Sequence, residues 1–464
     1  MSIDTKCHEY HNCYDERAIV RALSEGTCGM RRAGEYLLPK EPAEEEEDYK
    51  NRLERSFLYN VYNQAKQTMV GKIFANPVQL EGDHPLLNEL LEDADLAGRD
   101  LTSFMREVQD DAFDHGVSYI LVENPRSDPT MTREQEDALK IRPYFVHVKR
   151  DQLIGWQFER EGGVDVLSEI RIEEHFHELD NSTKAFSSSG YRKSWNEIEI
   201  RQVRVIRRND YEIWRETKNG WEIIEQGEWT LGAISLVPIP AKMTARMVGE
   251  PVFRDLAYMN VQHWQSMSDQ KNILHVARVP ILFGKQLGKN RPKSIGAGVG
   301  VFAEDEQSDL KYVELEGSSV SSGREDLMDI EKRMISMALE PNLARTGNVT
   351  ATSSAIDEAK ANTQVEAWSL ATEDAITLAI RYAFEWLGLG AEQYSVNLNR
   401  DFSIGMQQSE DATLLLNMHQ TGALSLQDLY KELKRRGILE PQFNIDLALD
   451  DSEQTLIGID ERLG

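Results

Sequence analysis

The feature that most constrains this chain is an ordered run from Gly249 to Trp386: helix, glycine-punctuated insert, helix, uncharged loop, long helix. The first helix is EPVFRDLAYMNVQHWQSMSDQKNILHVA (Glu250–Ala277). Phe253, Leu256, Ala257, Asn260, Trp264 and Met267 make one stripe at helical period, and Pro251 suits the first turn. The insert, Arg278–Glu316, reads as the short strands VPILFG, GVGVFAE and LKYVELEG. The second helix, Gly323–Glu340, carries Leu327, Ile330, Met334, Met337 and Ala338 on one face, and Pro341 stops it. The loop PNLARTGNVTATSS (Pro341–Ser354) leads into a long helix over Ala355–Gly388. At a rise of 1.5 Å per residue, the first two helices each span roughly 27–40 Å.

Charge narrows what such a chain can touch. With 52 basic and 79 acidic residues the formal net charge is −27. A chain this acidic does not grip nucleic acid through a broad basic face, although it can surround DNA without adhering to it. Hydrophobic content of 40% across 464 residues supports a large core and two or three domains. No apolar run reaches the roughly 18 residues of a membrane span, and the start, MSIDTKCHEY, lacks the pattern of a secretory signal. The three cysteines, Cys7, Cys13 and Cys28, read as reduced thiols in cytoplasm.

Before the central run, residues 1–48 read as a poorly patterned arm that ends in the acidic EPAEEEED (Glu41–Asp48). Tyr49–Ala75 reads as one helix, with Leu53, Phe57, Val61 and Ala65 on one face. LTSFMREVQDDAFDHG reads as a helix capped by Asp100 and stopped by Gly116, with the strand VSYILVENP directly after it. Residues 142–240 alternate in the manner of strands, and Asn219-Gly220 marks a hairpin turn. Here the expectation is an antiparallel meander with one face covered and one wet. The phase change from Ile198 and Ile200 to Val203 and Val205 predicts a bulge. Residues 389–464 read as a helical tail, with Ser425 and Asp428 forming a cap before LYKELKRRG.

Chemical motifs are scarce. GAGVG (Gly296–Gly300) lacks dinucleotide spacing, and GKQLGK (Gly284–Lys289) is one residue short of a phosphate loop, with Asn290 where a hydroxyl is needed. Cys7, His8, His11 and Cys13 crowd into seven residues without the paired spacing of a zinc site. Asp110, Asp111 and Asp114 read as a solvent-facing acidic helix face, in a helix without a histidine at ligand spacing. These residues point to no enzyme, no cofactor and no metal.

The whole pattern nevertheless resembles the portal proteins of tailed bacteriophages, and within them a portal-like group long known only as a phage domain of unknown function. The resemblance lies in YKNRLERSFLYNVYNQAKQTMVGKIFANPV (Tyr49–Val78), DDAFDHGVSYILVENP (Asp110–Pro125) and RPYFVHVKRDQLIGW (Arg142–Trp156). It continues in FRDLAYMNVQHWQSMSDQKNILHVARVPILF (Phe253–Phe283), in LKYVELEG with the EDLMDIEKRM helix, and in TATSSAIDEAKANTQ (Thr350–Gln364). The segments occur in the family's order. The resemblance implies an α+β portal fold with a helical stem and crown, a mixed α/β wing and a small α/β clip, assembled as a ring of usually twelve copies. Mapped onto this chain, 1–48 is an N-terminal arm, 49–249 the wing, 250–277 the descending stem helix and 278–322 the clip. The ascending stem helix is then 323–340, the channel loop 341–354, the long wing helix 355–388 and the crown 389–464.

The same resemblance implies a ring at one capsid vertex of the virion, assembled in the host cytoplasm. Its implied partners are double-stranded DNA in the channel, the terminase large subunit, the head–tail adaptor, the major capsid protein and the scaffold, with no membrane. Arg345 is the only charge in a loop of small polar residues that includes Thr346, Asn348 and Thr350, which suits weak contact with DNA. In the clip, Lys285, Lys289, Arg291 and Lys293 form a basic patch fit for a docking partner. The competing readings are another head–tail connector or minor capsid protein, and a magnesium-dependent nuclease built on Asp110, Asp111 and Asp114.

Overall fold

A computed structural model describes residues 2–125, 141–179, 185–187, 190–192, 197–277, 281–285, 307, 309–313, 317–338, 351–389, 393–399, 405–435 and a few isolated positions beyond them. It is a mixed α/β fold of several sheets and helices. The chain divides into two compact units. One holds residues 1–14, 66–252 and 355–464, and the other holds 15–65 and 253–354.

The N-terminal third is mostly helical: α1 (Tyr14–Ser24), α2 (Gly26–Ala33), α3 (Glu46–Arg55), α4 (Val61–Ile73), α5 (Pro85–Glu92) and α6 (Leu101–His115). The expected loose arm is therefore folded, with Ile19, Val20, Leu23, Met30, Leu37 and Leu38 all buried. The single helix expected over Tyr49–Ala75 is two. Ser56 turns extended after α3; its hydroxyl donates to the Arg52 carbonyl and shares a hydrogen bond with the Ser268 hydroxyl, both at 2.8 Å. Asn60 then accepts from the Asn63 amide at 3.0 Å. Short polar side chains offer the backbone alternatives to helical bonding, and two of them here break the run. Phe57, expected on the buried face, lies in the break and is exposed.

In the first unit, α6 forms as the sequence predicts. Asp100 accepts from the Ser103 amide at 2.9 Å, and Gly116 closes the helix with φ of +77°. The fully buried strand β2 (Val117–Glu123) follows at once, flanked antiparallel by β3 (Tyr144–Val148) and by β11 (Leu236–Pro240). A strand buried on both faces reads as a continuous apolar run, as VSYILV does. A second sheet of five antiparallel strands runs in the order β10 (Gly220–Glu228), β9 (Asp210–Thr217), β8 (Glu197–Arg207), β5 (Val164–Leu179), β4 (Leu153–Glu161), and β6 (Ala185–Ser187) with β7 (Gly190–Arg192) and β12 (Met243–Ala245) with β13 (Val248–Gly249) are separate short pairs. The turn between β9 and β10 falls at Lys218-Asn219, with Thr217 paired to Gly220.

The bulge expected in β8 is absent. That strand pairs with β5 in unbroken register from Glu197 to Arg207, and the irregularities lie instead in the β4–β5 and β9–β10 pairings. The phase change has another cause: the C-terminal half of β8 is covered on both faces, whereas Ile198 in its first half is exposed. Val203 and Val205 pack with Tyr10 and Ile154, whereas Ile206 joins Ile170, Ile172 and Tyr211. The second face is covered by residues 2–14. The Cys7 amide donates to the Ile154 carbonyl at 2.9 Å, Arg171 donates to the Ile3 carbonyl at 2.9 Å, and Trp156 Nε1 donates to Glu9 at 3.0 Å. Arg150, 1% exposed, lies between the rings of Tyr10 and Trp156.

The long helix α9 (Ala351–Trp386) starts earlier than expected, so the last four residues of the anticipated loop are helical. From residue 355 onward it belongs to the first unit. Trp368 stacks edge-on to Phe113 with centroids 4.7 Å apart, Thr372 bonds Gln109 at 2.8 Å, and Trp386 Nε1 donates to the Val122 carbonyl at 3.0 Å. A strand not foreseen, β16 (Tyr394–Asn397), pairs with β1 (Gln79–Gly82). The tail then carries α10 (Gly405–Gln420) and α11 (Leu426–Arg435), the latter capped through Ser425 and Asp428.

Candidate functional site

The central run supplies an antiparallel helix pair in the second unit. Helix α7 (Arg254–Ala277) and helix α8 (Gly317–Met337) flank a two-stranded hairpin, β14 (Ile281–Lys285) with β15 (Asp309–Val313). With 24 and 21 residues, the helices reach roughly 36 and 32 Å at 1.5 Å per residue. Polar side chains fix their register. Fully buried His263 meets Glu331 at 3.1 Å, and Gln270 donates to the Val320 carbonyl at 2.9 Å. Trp264 beside them is also fully buried. Asn260 ties α7 to the chain before α4, accepting from the Tyr62 amide at 3.0 Å and donating to the Tyr59 carbonyl at 2.9 Å.

Few of the side chains singled out in the sequence fall on this frame. Arg345, Thr346, Asn348 and Thr350 lie outside the described residues, as do Lys289, Arg291 and Lys293. Lys285 ends β14, exposed and opposite Asp309 in register.

The acidic face of α6 is not a solvated face. Lys66, 1% exposed, reaches Asp110 and Asp114 at 2.8 Å each. Asp111 pairs with His115 at 3.1 Å and stands 3.8 Å from His147. His147 in turn stands 3.5 Å from Glu107 and 2.9 Å from Ser118 Oγ. Contrary to the expectation of a helix without a histidine at ligand spacing, His115 follows Asp111 by one helical turn. His147 comes from β3, and no local spacing announces it.

The electrostatics follow from this packing. Burial opposes charge on both histidines, yet the carboxylates around them prevail and both pKa values rise. Asp111 is held well below the usual carboxylate range: burial works against its charge, and His115 and His147 outweigh it. His147 lowers Glu107 to about 2. Ser118, His147 and Glu107 thus have the connectivity of nucleophile, base and orienting acid, but the chemistry does not follow. Ser118 is fully buried, out of reach of a substrate. Among the described residues no group of three or more His, Cys, Asp or Glu side chains is arranged to hold a metal ion. Near the N-terminus, Cys7 packs against the sheet and His11 lies beside the rings of Tyr10 and Tyr14.

A family profile described as a domain of unknown function (DUF4055) matches residues 252–387. The match takes in α7, the hairpin, α8, the loop and α9, and covers less than a third of the chain. Among solved structures, a chain from the neck of an empty gene transfer agent (GTA) particle computed with C6 symmetry is similar at a TM-score of 0.42 and 12% identity, over 79% of this chain and 86% of that one. A chain from the virion of a native gene transfer agent particle is similar at 0.41 and 13%, over 81% and 88%. A chain from the neck of a native particle computed with C12 symmetry is similar at 0.43 and 14%, over 80% and 89%. Likeness at these values carries no argument about function. No curated protein matches the sequence.

Proposed function

We propose that this chain is the subunit of a phage portal, a ring channel at one capsid vertex through which double-stranded DNA is packaged and ejected. The observation that carries the reading is the family match on residues 252–387. It falls on the helix–hairpin–helix–long helix run that the portal resemblance organises as stem, clip, stem and wing helix. The antiparallel α7–α8 pair has the length and the buried polar register of a stem wall. A net charge of −27 suits a conduit that DNA must slide through without adhering. In this reading 49–249 is the wing and 389–464 the crown; the clip expected over 278–322 gives up 317–322 to the start of α8, and the channel loop expected over 341–354 gives up 351–354 to α9. The terminase large subunit, the head–tail adaptor, capsid and scaffold are the partners, and the virion vertex is the location after assembly in the host cytoplasm. A nuclease on Asp110, Asp111 and Asp114 has lost its residues to ion pairs.

Negative-stain microscopy of the purified chain tests the proposal. Closed rings with a central hole are expected, and particles that stay monomeric at every concentration and with capsid protein present would sink it. Within the ring, Arg345→Glu should lower the DNA packaged per head, and unchanged packaging removes Arg345 from the mechanism. Charge reversal at Lys285, Lys289, Arg291 and Lys293 should weaken motor-dependent packaging, and intact packaging argues against docking there.

A further inference from the structure

A groove in the second unit runs between α3 and the C-terminal half of α7. It consists of two joined clefts of about 320 and 740 Å³ that share Arg52, Arg55, Asn272 and His275. The smaller cleft is lined by Arg55, Lys271 and His275 with the hydroxyls of Ser56 and Ser268, and by no carboxylate. The larger one adds Glu41, Asp48, Glu54 and Asp269. The groove is therefore positive at one end and negative at the other.

Arg52 separates the ends and is already neutralised. It is 4% exposed and bonded to Glu44 at 2.7 Å and to Asp269 at 3.4 Å. Of the other cations, Arg55 lines both clefts and Lys271 only the smaller one. Arg55 Nε donates to the Asn51 carbonyl, Lys271 stands 5.0 Å over the Phe57 ring, and among the described residues neither has a carboxylate partner. At the other end, burial and the charges of Glu41 and Glu44 raise the Asp269 pKa despite Arg52. Negative charge is in surplus there.

We infer that this groove docks a protein segment bearing carboxylates at one end and lysine or arginine at the other, laid against the groove's own polarity. A nucleic-acid strand is a poor fit, because it carries a negative charge at every phosphate and would run past Glu41, Asp48 and Glu54. A small anion would fill only the cationic cleft. A bipolar segment satisfies both ends, and Leu274 gives its aliphatic stems a surface. The inference is independent of the portal reading.

The test measures binding of short fluorescein-labelled peptides to the full chain by anisotropy at low salt. The probes are peptides with glutamates at one end and lysines at the other, made in both chain directions. The comparators are all-glutamate and all-lysine peptides and a single-stranded DNA oligonucleotide. At least one bipolar peptide should bind about tenfold more tightly than each comparator. Arg55→Glu with Lys271→Glu should remove that binding and raise affinity for the all-lysine peptide. Arg55→Gln with Lys271→Gln, a milder pair, covers the case in which reversal harms folding, and should weaken the bipolar peptide severalfold. Equal binding of bipolar and uniform peptides, no binding of the bipolar ones, or binding untouched by the glutamine pair overturns the inference. So does groove-dependent binding in which the oligonucleotide is preferred.

Discussion

Gly116 and Gly249 meet backbone to backbone. A Cβ on Gly249 would stand 2.5 Å from the Gly116 carbonyl carbon, and Gly116 itself is held at φ of +77°. The Gly116 carbonyl accepts from the amides of Ala241 and Lys242, at 3.0 and 2.7 Å, so the end of α6 is stitched to the bend that follows β11. Only glycine tolerates both the conformation and the approach.

Gly249→Ala should therefore destabilise the fold by about 3 kcal/mol, and Gly116→Ala by at least as much, since strain at a left-handed residue adds to the clash. Denaturant titration reads both. A loss under about 0.5 kcal/mol in either variant, the range of an ordinary surface change, would mean that the two backbones do not touch.

The histidine–carboxylate cluster makes stability depend on pH in both directions. His115 and His147 have raised pKa values when folded, so their contribution is complete below the ordinary histidine value near 6.5 and is lost as pH rises through the folded values. Glu107 and Asp111 are lowered, so theirs is complete above the ordinary carboxylate values near 4 and is lost as pH falls through the folded ones, about 2 for Glu107. The cluster should stabilise most between about pH 4.5 and 6.5. A His147→Gln, His115→Gln double variant should melt at a temperature with a flatter profile above pH 6.5. An unchanged profile would show the histidines to be neutral when folded.

Lys66 pairs with two carboxylates from a fully buried position. Lys66→Met leaves Asp114 buried without its cation and should cost about 3–5 kcal/mol. Adding Asp114→Asn should recover part of that loss. Chemical denaturation of the two variants decides, and equal stability of Lys66→Met and the parent would show the pair to be exposed in solution.

Tyr10 fastens residues 2–14 to the five-stranded sheet. Its hydroxyl donates to the Asp151 carbonyl at 3.2 Å, and its ring covers Val203, Val205 and the Arg150 guanidinium. Tyr10→Ala should release that segment to limited proteolysis near Cys7 while the sheet stays folded. Cleavage no faster than in the parent would place the anchor elsewhere, for instance at Cys7 and Ile3.

Short-range signals were legible and physically sufficient where one element settles its own ends. Asp100 and Gly116 bound α6 because a cap is a bond within a few residues, and Ser425 with Asp428 starts α11 in the same way. The apolar stripes of α7 and α8 and the long run into α9 were fixed by period alone. Tertiary structure decided what period cannot encode: which faces are covered, and by what. Residues 2–14 cover the second face of β8, so Val203 and Val205 enter one core and Ile206 another with no bulge between them. Ser56 turns away from a helix because Ser268 waits for its hydroxyl. Asp110, Asp111 and Asp114 look solvated in sequence because their partners, Lys66 and His147, come from α4 and β3. A buried charge persists only where the fold brings its counter-charge, and that meeting is set by packing across the chain.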